Sequence, residues 1–413
     1  MAAGQPARSG IDFSAFRDPK LARELIERIR ELVGDRTINL MEVCGTHTVS
    51  IGRYGFRSIM PAGLKLLSGP GCPVCVTANR DIDHAIALAK MDGAIITTFG
   101  DMMRVPGSST SLAAQKAAGR DIRIVYSPLD ALDIAEHNPD RPVIFMGVGF
   151  ETTTPTIAAA ILEADARGLQ NFSVYCAHKT TPPALRAIAN DPETTIDGFI
   201  LPGHVATITG LAPFDFLVDE FETPGVVTGF EPVDILQGIC MLVQMVVEGQ
   251  PAIDNAYRRG VNADGNPVAR QLVEQVFEPC DTTWRGLGPI ANSGLSIRPS
   301  SRALMPALAL TCPLRRRSSA WVPLRRRAAR GHYAERLPLF GRACTPEHPI
   351  GPCMVSSEGS CAAYFRYRAN GFRRSNERRA GRRCAPFRRA ICLSIVGCGQ
   401  KPSSSSFKAT HFA

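Results

Sequence analysis

Three cysteines and a histidine stand in two short segments where they could act together. Cys44 and His47 lie three apart in Met41–Thr48, MEVCGTHT, and Cys72 and Cys75 form a Cys-x-x-Cys pair in Gly69–Thr77, GPGCPVCVT. A thiolate is a soft ligand suited to Fe(II) and other soft metals. An imidazole can ligate, or move protons near neutral pH. On spacing alone, Cys44 and His47 are better read as a buried cysteine beside a core histidine. A Cys-x-x-Cys pair supports a reversible disulfide or half of a zinc site. Zinc would want a second pair, and no second Cys-x-x-Cys occurs among the 13 cysteines, so dithiol chemistry is favoured. Both segments follow apolar runs and are rich in Gly, Pro or Thr, the composition of tight turns. The expectation is an exposed thiol whose thiolate is favoured by nearby backbone N–H groups.

Cys344, Cys353 and Cys361 form a third group, separated by eight and seven residues. Thiolates hold iron–sulfur clusters, usually four to a [4Fe–4S] cluster, so three at this loose spacing make a weak motif. Gly149–Pro155, GFETTTP, reads as a helix start whose N–H groups and threonines could take an anion, or as an ordinary capped start. Gly-Lys-Ser/Thr is absent, which argues against nucleotide hydrolysis. His178 and His204 end apolar runs and are expected to line the same cleft, although either alone is more often structural. Asp101 and Arg104 read by default as a structural ion pair. Cys176, Cys240 and Cys280 read as core or incidental cysteines.

The elements that must position these groups alternate. Asp18–Val33 carries apolar residues at helical spacing. Short apolar strands at 38–43, 64–68, 93–98, 122–126, 142–146, 172–176 and 198–201 are interleaved with helices, the longest at 233–248. That alternation predicts parallel sheets with helices on their faces. The expected plan is α/β, with an N-terminal helical segment (1–36) and two similar α/β domains, 37–139 bearing Cys44, Cys72 and Cys75, and 140–297. In open parallel sheets ligands bind beyond the carboxyl ends of the strands, where the Gly-, Thr- and His-rich turns fall, so one shared cleft is expected.

At 413 residues the chain is long enough for two or three domains. It has no run of eighteen apolar residues, and the first ten residues lack a secretory apolar region, so a cytoplasmic protein without a membrane span is expected. The net charge of +9 divides unevenly: residues 298–413 hold 23 basic and 4 acidic residues, and residues 1–297 hold 24 and 34. The basic end alone would suggest nucleic-acid binding, and the acidic body argues against it. From Pro299 to Leu337, and again after Arg368, the texture turns rich in Arg, Pro, Ala and Ser and loses periodicity.

The long motifs carry a resemblance. MEVCGTHT, GPGCPVCVT, TTFGDMMRVPGS (97–108), GFETTTPTIA (149–158), AHKTTPPA (177–184), LPGHVATITG (201–210) and CTPEHPIGPCMVSSEGSCAAYFRY (344–367) resemble, in order, the HypD family of hydrogenase maturation proteins. The resemblance runs from about Ile11 to Ile297 and resumes at Pro338 for about thirty residues. It implies two related α/β domains and a third with a [4Fe–4S] cluster, here 298–367; the composition of 368–413 makes it an expected basic, disordered tail. It implies that Cys44 and His47 belong to an iron-handling site, that Cys44 holds iron shared with a small HypC-type chaperone, and that Cys72 and Cys75 supply electrons beside it. It further implies a HypE-type partner delivering cyanide, transient iron with CN and CO ligands bound for a hydrogenase large subunit, and Cys344, Cys353 and Cys361 as cluster ligands. Such a protein is a redox-active assembly scaffold rather than a conventional turnover enzyme. The rival reading is a thioredoxin-like thiol oxidoreductase using only Cys72 and Cys75. The family's further cysteine motif is missing from 299–337. Loss and recovery of motif is what a compensated frameshift produces, to be read in the coding DNA.

Overall fold

The computed structural model describes residues 13–302, 334 and 337–367. Most of 298–337 and all of 368–413, including the basic tail, lie outside the described residues. The first helix, α1 (Pro19–Val33), starts where Asp18 accepts the Lys20 N–H at 2.7 Å and ends at Gly34, whose φ of 51° suits glycine. Its buried stripe, Ala22, Ile26, Ile29 and Val33, packs on the long helix Pro232–Glu248.

Two fully parallel sheets follow. The first contains β1 (Ile38–Glu42), β2 (Leu64–Ser68), β7 (Gly198–Pro202), β8 (Gly225–Thr228) and β9 (Ile253–Asn255), in the order β2-β1-β7-β8-β9. The second contains β3 (Ile95–Thr98), β4 (Ile122–Ile124), β5 (Val143–Gly147) and β6 (Phe172–Cys176), in the order β4-β3-β5-β6. The expected α/β class with two parallel sheets is present, but the sheets are not one per sequence half. The expected boundary at 139/140 falls between β4 and β5, two strands of the second sheet. The chain starts in the first sheet, builds the second, and returns. Burial explains the pairing: Leu40, Met41, Ile200, Leu201, Val226 and Val227 are fully buried, so β1 needs a neighbour on each side.

Residues beyond the long helix were not read as strands. Helix Pro267–Val276 leads into β10 (Phe277–Trp284) and β11 (Gly288–Ile297), an antiparallel hairpin with an irregularity between Cys280 and Thr282. The hairpin bridges Thr77 through Trp284 and Lys179 through Gly294, tying both sheets together. In the first sheet, β1 lies between β2 and β7, so connections leave it in opposite directions. This is where a crevice opens at the strand ends.

Candidate functional site

Both cysteine loops leave that crevice. Beyond β1 the chain runs Val43-Cys44 into α2 (Gly45–Arg53); beyond β2 it runs through Gly69-Pro70-Gly71-Cys72 into the four-residue helix Pro73–Val76. The loops touch backbone to backbone: Gly45 N–H donates to Gly71 O at 2.9 Å, and Gly69 N–H to Glu42 O at 2.7 Å. A Cβ on Gly71 would lie 2.3 Å from the Cys44 nitrogen, so glycine permits the approach. Cys72 and Cys75 are joined as a disulfide, with Cα atoms 5.3 Å apart, and Cys72 Sγ accepts the Cys75 N–H at 3.2 Å.

These sulfurs are not exposed as expected. Cys44, Cys72 and Cys75 retain 8%, 5% and 7% exposure. The cover is the C-terminal segment. The Glu358 side chain sits against Gly45, where an added Cβ would approach its Cβ to 2.5 Å, and Glu358 Oε1 accepts from Thr46 Oγ1 at 2.8 Å. Burial pushes the Cys44 thiol up to about 12, the Glu358 and Glu42 charges push the same way, and the N–H groups of Thr46 and His47 only partly oppose this. The thiol is therefore protonated in this environment, contrary to the expected thiolate.

Glu42 was not singled out by sequence reading. It is fully buried, accepts from Thr48 Oγ1 and from the Cys44 N–H at 3.2 Å, and lies 4.0 Å from Arg57. Burial pushes its carboxyl up to about 7, against the Thr48, Arg57 and Ser68 contacts. Its one signal was an acidic residue inside an apolar strand. His47 is also fully buried. Its Nε2 lies 2.9 Å from Gly229 O, an acceptor only, so that nitrogen carries the proton. Thr228 Oγ1 lies 2.8 Å from the same atom. Nδ1 has no hydrogen-bond partner among the described residues, and burial lowers the ring to about 4. Phe230 stacks on both His47 and His204, with centroids 4.8 and 4.0 Å away.

Cys353 and Cys361 meet with Sγ atoms 3.2 Å apart, and Cys344, whose Sγ accepts the Ile350 N–H at 3.4 Å, packs in the same small apolar cluster. Cys353 also faces the first loops. A cavity of about 70 Å³ is lined by Gly71, Cys72, Cys75, Arg285, Cys353 and Glu358. The Arg285 guanidinium is buried, donates to Thr77 O at 2.7 Å, and is lowered to about 10 by burial. Among the described residues no group of three or more His, Cys, Asp or Glu is placed to hold a metal ion.

Other expected neighbours lie elsewhere. His178 belongs to the second sheet: Nδ1 is 3.0 Å from Cys176 Sγ, and the ring packs on Phe277 of the hairpin. Lys179 beside it is 1% exposed, 3.6 Å from Asp81 and 3.0 Å from Thr282 Oγ1. Asp101 and Arg104 do not pair. Asp101 accepts from Ser356 Oγ at 3.4 Å and Arg104 donates to Pro346 O at 2.6 Å, because the turn that carries them abuts the C-terminal segment. In Gly149–Pro155 the Thr153 and Thr154 hydroxyls donate to Phe150 O and Glu151 O, and Glu151 accepts from Thr181 N–H at 2.6 Å. The hydroxyls turn back to preceding carbonyls, and Thr153 at the start of the helix Thr154–Ala166 makes no side-chain capping bond, so the expected capped start is not formed.

No helix among the described residues is long and apolar enough to cross a membrane. A family profile described as "HypD: Hydrogenase formation hypA family" matches residues 20–368. The chain is 45% identical over 366 residues to the hydrogenase maturation factor HypD of Rhodobacter capsulatus, covering 86% of this chain and 97% of that protein. It is 44% identical over 374 residues to that of Rhizobium leguminosarum bv. viciae, covering 85% and 94%. It is 42% identical over 368 residues to that of Escherichia coli (strain K12), covering 86% and 97%. With the motif-bearing loops folded together and the match spanning both sheets and the C-terminal segment, this chain belongs to the HypD family of hydrogenase maturation factors.

Proposed function

We propose that this chain is the scaffold on which the iron centre of a [NiFe] hydrogenase receives its cyanide and carbonyl ligands. One observation carries the reading: the Cys44 loop and the Cys72–Cys75 disulfide loop are bonded backbone to backbone at the ends of neighbouring strands. A thiol that holds iron and a pair that stores two electrons thus share one crevice. Iron is the cargo. Cys44 is its thiol ligand, completed by a HypC-type chaperone, and binding displaces a proton that burial otherwise holds on sulfur. His47 keeps its proton on Nε2 toward Gly229 and leaves Nδ1 buried without a hydrogen-bond partner among the described residues.

A HypE-type partner delivers cyanide, and two electrons are needed to release it from a thiocyanate. Closing a reduced Cys72/Cys75 dithiol to the disulfide supplies two and releases two protons, and the disulfide so formed must be reduced again before the next cyanide. A thioredoxin-like oxidoreductase would need only that pair, and the Cys44, Glu42 and Glu358 arrangement around it supports the scaffold reading instead. The resemblance also implies a [4Fe–4S] cluster. The described residues bring together three thiols, one short of the usual four. Cys312, Cys384, Cys392 and Cys398 lie outside the described residues. The fit is incomplete, and no step here passes through a cluster.

The test is complementation of a hydrogenase-producing strain that lacks its own family member. The wild-type chain is expected to restore hydrogenase activity. Cys44→Ala, with its Cys72–Cys75 disulfide intact, is expected to abolish it; full activity from Cys44→Ala would reject the scaffold reading.

A further inference from the structure

Cys44 and the Cys72–Cys75 pair leave the same crevice, but their electrostatic surroundings differ. At Cys44 the charges of Glu358 and Glu42 both oppose a thiolate. The disulfide instead shares its cavity with the Arg285 guanidinium. Arg285 lies at the tip of the β10–β11 hairpin, anchored by the residue before it. Trp284 is fully buried, stacks on Phe150 with centroids 5.8 Å apart, and donates from Nε1 to Ser293 Oγ at 2.9 Å. The tip grips the chain directly after Cys75. The Arg285 backbone N–H donates to Val76 O and its Nε to Thr77 O, each at 2.7 Å, and Nη1 and Nη2 both lie 3.4 Å from Pro106 O. Val76 and Thr77 close the four-residue helix that carries Cys75. Other charged groups bear on this place from two sides. Asp81 and Asp83, on the helix Asn79–Leu88, and Cys353, on the C-terminal segment, act on the guanidinium. Asp81 is shared with Lys179 and Tyr175, and Asp83 accepts from Ser108. Glu358, the carboxylate that lines the cavity, accepts from Thr46 and bears on Cys44.

We propose that Arg285 is a positioning residue for the Cys72/Cys75 pair, its charge held against the sulfurs so that the opened pair keeps a thiolate. The proposal rests on the reading of Cys72 and Cys75 as a reducible pair. Both cysteines are buried, and burial alone holds protons on sulfur. The thiolate is the form that reacts. A buried guanidinium offsets that penalty, and because its backbone is bonded to Val76, the charge is in place before the bond opens. When an external dithiol reduces the pair, the Cys72–Cys75 bond breaks and takes up two electrons and one proton. One sulfur becomes a thiol and the other stays a thiolate facing Arg285. The cation takes no part in the electron count. It stabilises the reduced state relative to the disulfide. The crevice thus holds two kinds of thiol: Cys44, whose proton a metal must displace, and a pair whose negative charge is compensated in advance.

The experiment uses the full-length chain, purified anaerobically and equilibrated in dithiothreitol redox buffers at neutral pH. Alkylation with peptide mass spectrometry reports the reduced fraction of Cys72/Cys75. Arg285→Gln is expected to make the pair harder to reduce by about tenfold in the equilibrium constant, or about 30 mV, since a nearby opposite charge moves a titrating group by about one to three pKa units. Its reduced pair is expected to alkylate about tenfold more slowly. Arg285→Lys keeps the charge and loses the fork, and is expected to stay within about threefold of the wild type on both readouts. Ser360→Asp leaves Arg285 intact and sets a carboxylate on the wall of the same cavity, so it is expected to shift the pair in the same direction as Arg285→Gln. Circular dichroism matching the wild type identifies folded variants, and Ser360→Asp carries the test if Arg285→Gln does not fold. Wild-type potential and alkylation in the neutral variant, or in Ser360→Asp where that variant does not fold, would overturn the proposal. So would an Arg285→Lys that falls as far as Arg285→Gln, because shape rather than charge would then be acting. A wild-type Cys72–Cys75 bond that excess dithiothreitol never opens would overturn the reading of a reducible pair itself.

Discussion

Thr46 and Glu358, 312 residues apart, are joined by a 2.8 Å hydrogen bond that holds the C-terminal segment over the start of α2. Next to it, Gly45 leaves room for the Glu358 side chain. The cover over Cys44 includes this contact, which two substitutions can probe.

Gly45→Ala puts a methyl 2.5 Å from Glu358 Cβ, and overpacking of this kind costs about 1–3 kcal/mol. The segment is expected to lift, and alkylation of Cys44 under native conditions to speed up, with the sheets still folded by circular dichroism. Glu358→Ala should give the same acceleration. Unchanged alkylation in both would mean the cover lies elsewhere.

Glu42→Gln addresses pH. The folded-state carboxyl sits at about 7, above its ordinary value near 4.5, so the folded protein binds the proton more tightly than the unfolded chain. Its contribution is full below about pH 4.5 and is lost as pH rises through 7, on the order of a few kcal/mol. His47 and His178, lowered to about 4 and about 3, slope the opposite way below their ordinary value of 6.5. The difference between wild type and Glu42→Gln isolates the carboxyl. Urea denaturation from pH 5 to 8 is expected to show the variant gaining on the wild type as pH rises. A constant difference would refute the shift.

Lys179→Met removes a buried ammonium and leaves Asp81 with Tyr175 and Arg80, at 3.1 and 3.7 Å. Breaking a buried pair from one side costs about 3–5 kcal/mol. Thermal unfolding should show a loss of about 3 kcal/mol, with faster hydrogen exchange in the hairpin that Thr282 anchors. A loss below about 1 kcal/mol would show that the ammonium is dispensable there.

Gly71→Ala would bring a Cβ to 2.3 Å from the Cys44 nitrogen, and backbone on both sides leaves nothing flexible to yield. The two loops must separate. Stability is expected to fall by several kcal/mol, and hydrogenase maturation to fail even with all three thiols present. Normal maturation by this variant would mean that the loops need not touch.

Much of this was legible because it is local. Ile38–Val43 and Leu64–Ser68 are apolar runs closed by Gly, Pro or Thr, and they form strands that deliver Cys44 and Cys72. The helix at Asp18 announces itself by its cap and its stripe. What stayed hidden is long-range. No residue pattern tells β1 to pair with β7 rather than with a strand nearby in sequence. The hairpin was missed because Pro279 and Asp281 interrupt its alternation. Asp101 and Arg104 looked like partners by proximity, yet the turn aims both at Ser356 and Pro346. Thiol burial was misread for the same reason, since the cover arrives from Glu358.

The interleaved strand order has a consequence during synthesis. Asn39 is held by Asp197, 158 residues downstream, at the head of β7. At usual ribosomal speeds that separation is on the order of ten to thirty seconds. For that interval β1 and β2 have left the ribosome without the strand that completes their sheet. Cys44, Cys72 and Cys75 face the surrounding solution before Glu358 exists to shield them. The redox state of the nascent chain's surroundings, rather than that of the finished protein, thus sets whether the first pair of sulfurs to meet is the pair that the fold later encloses.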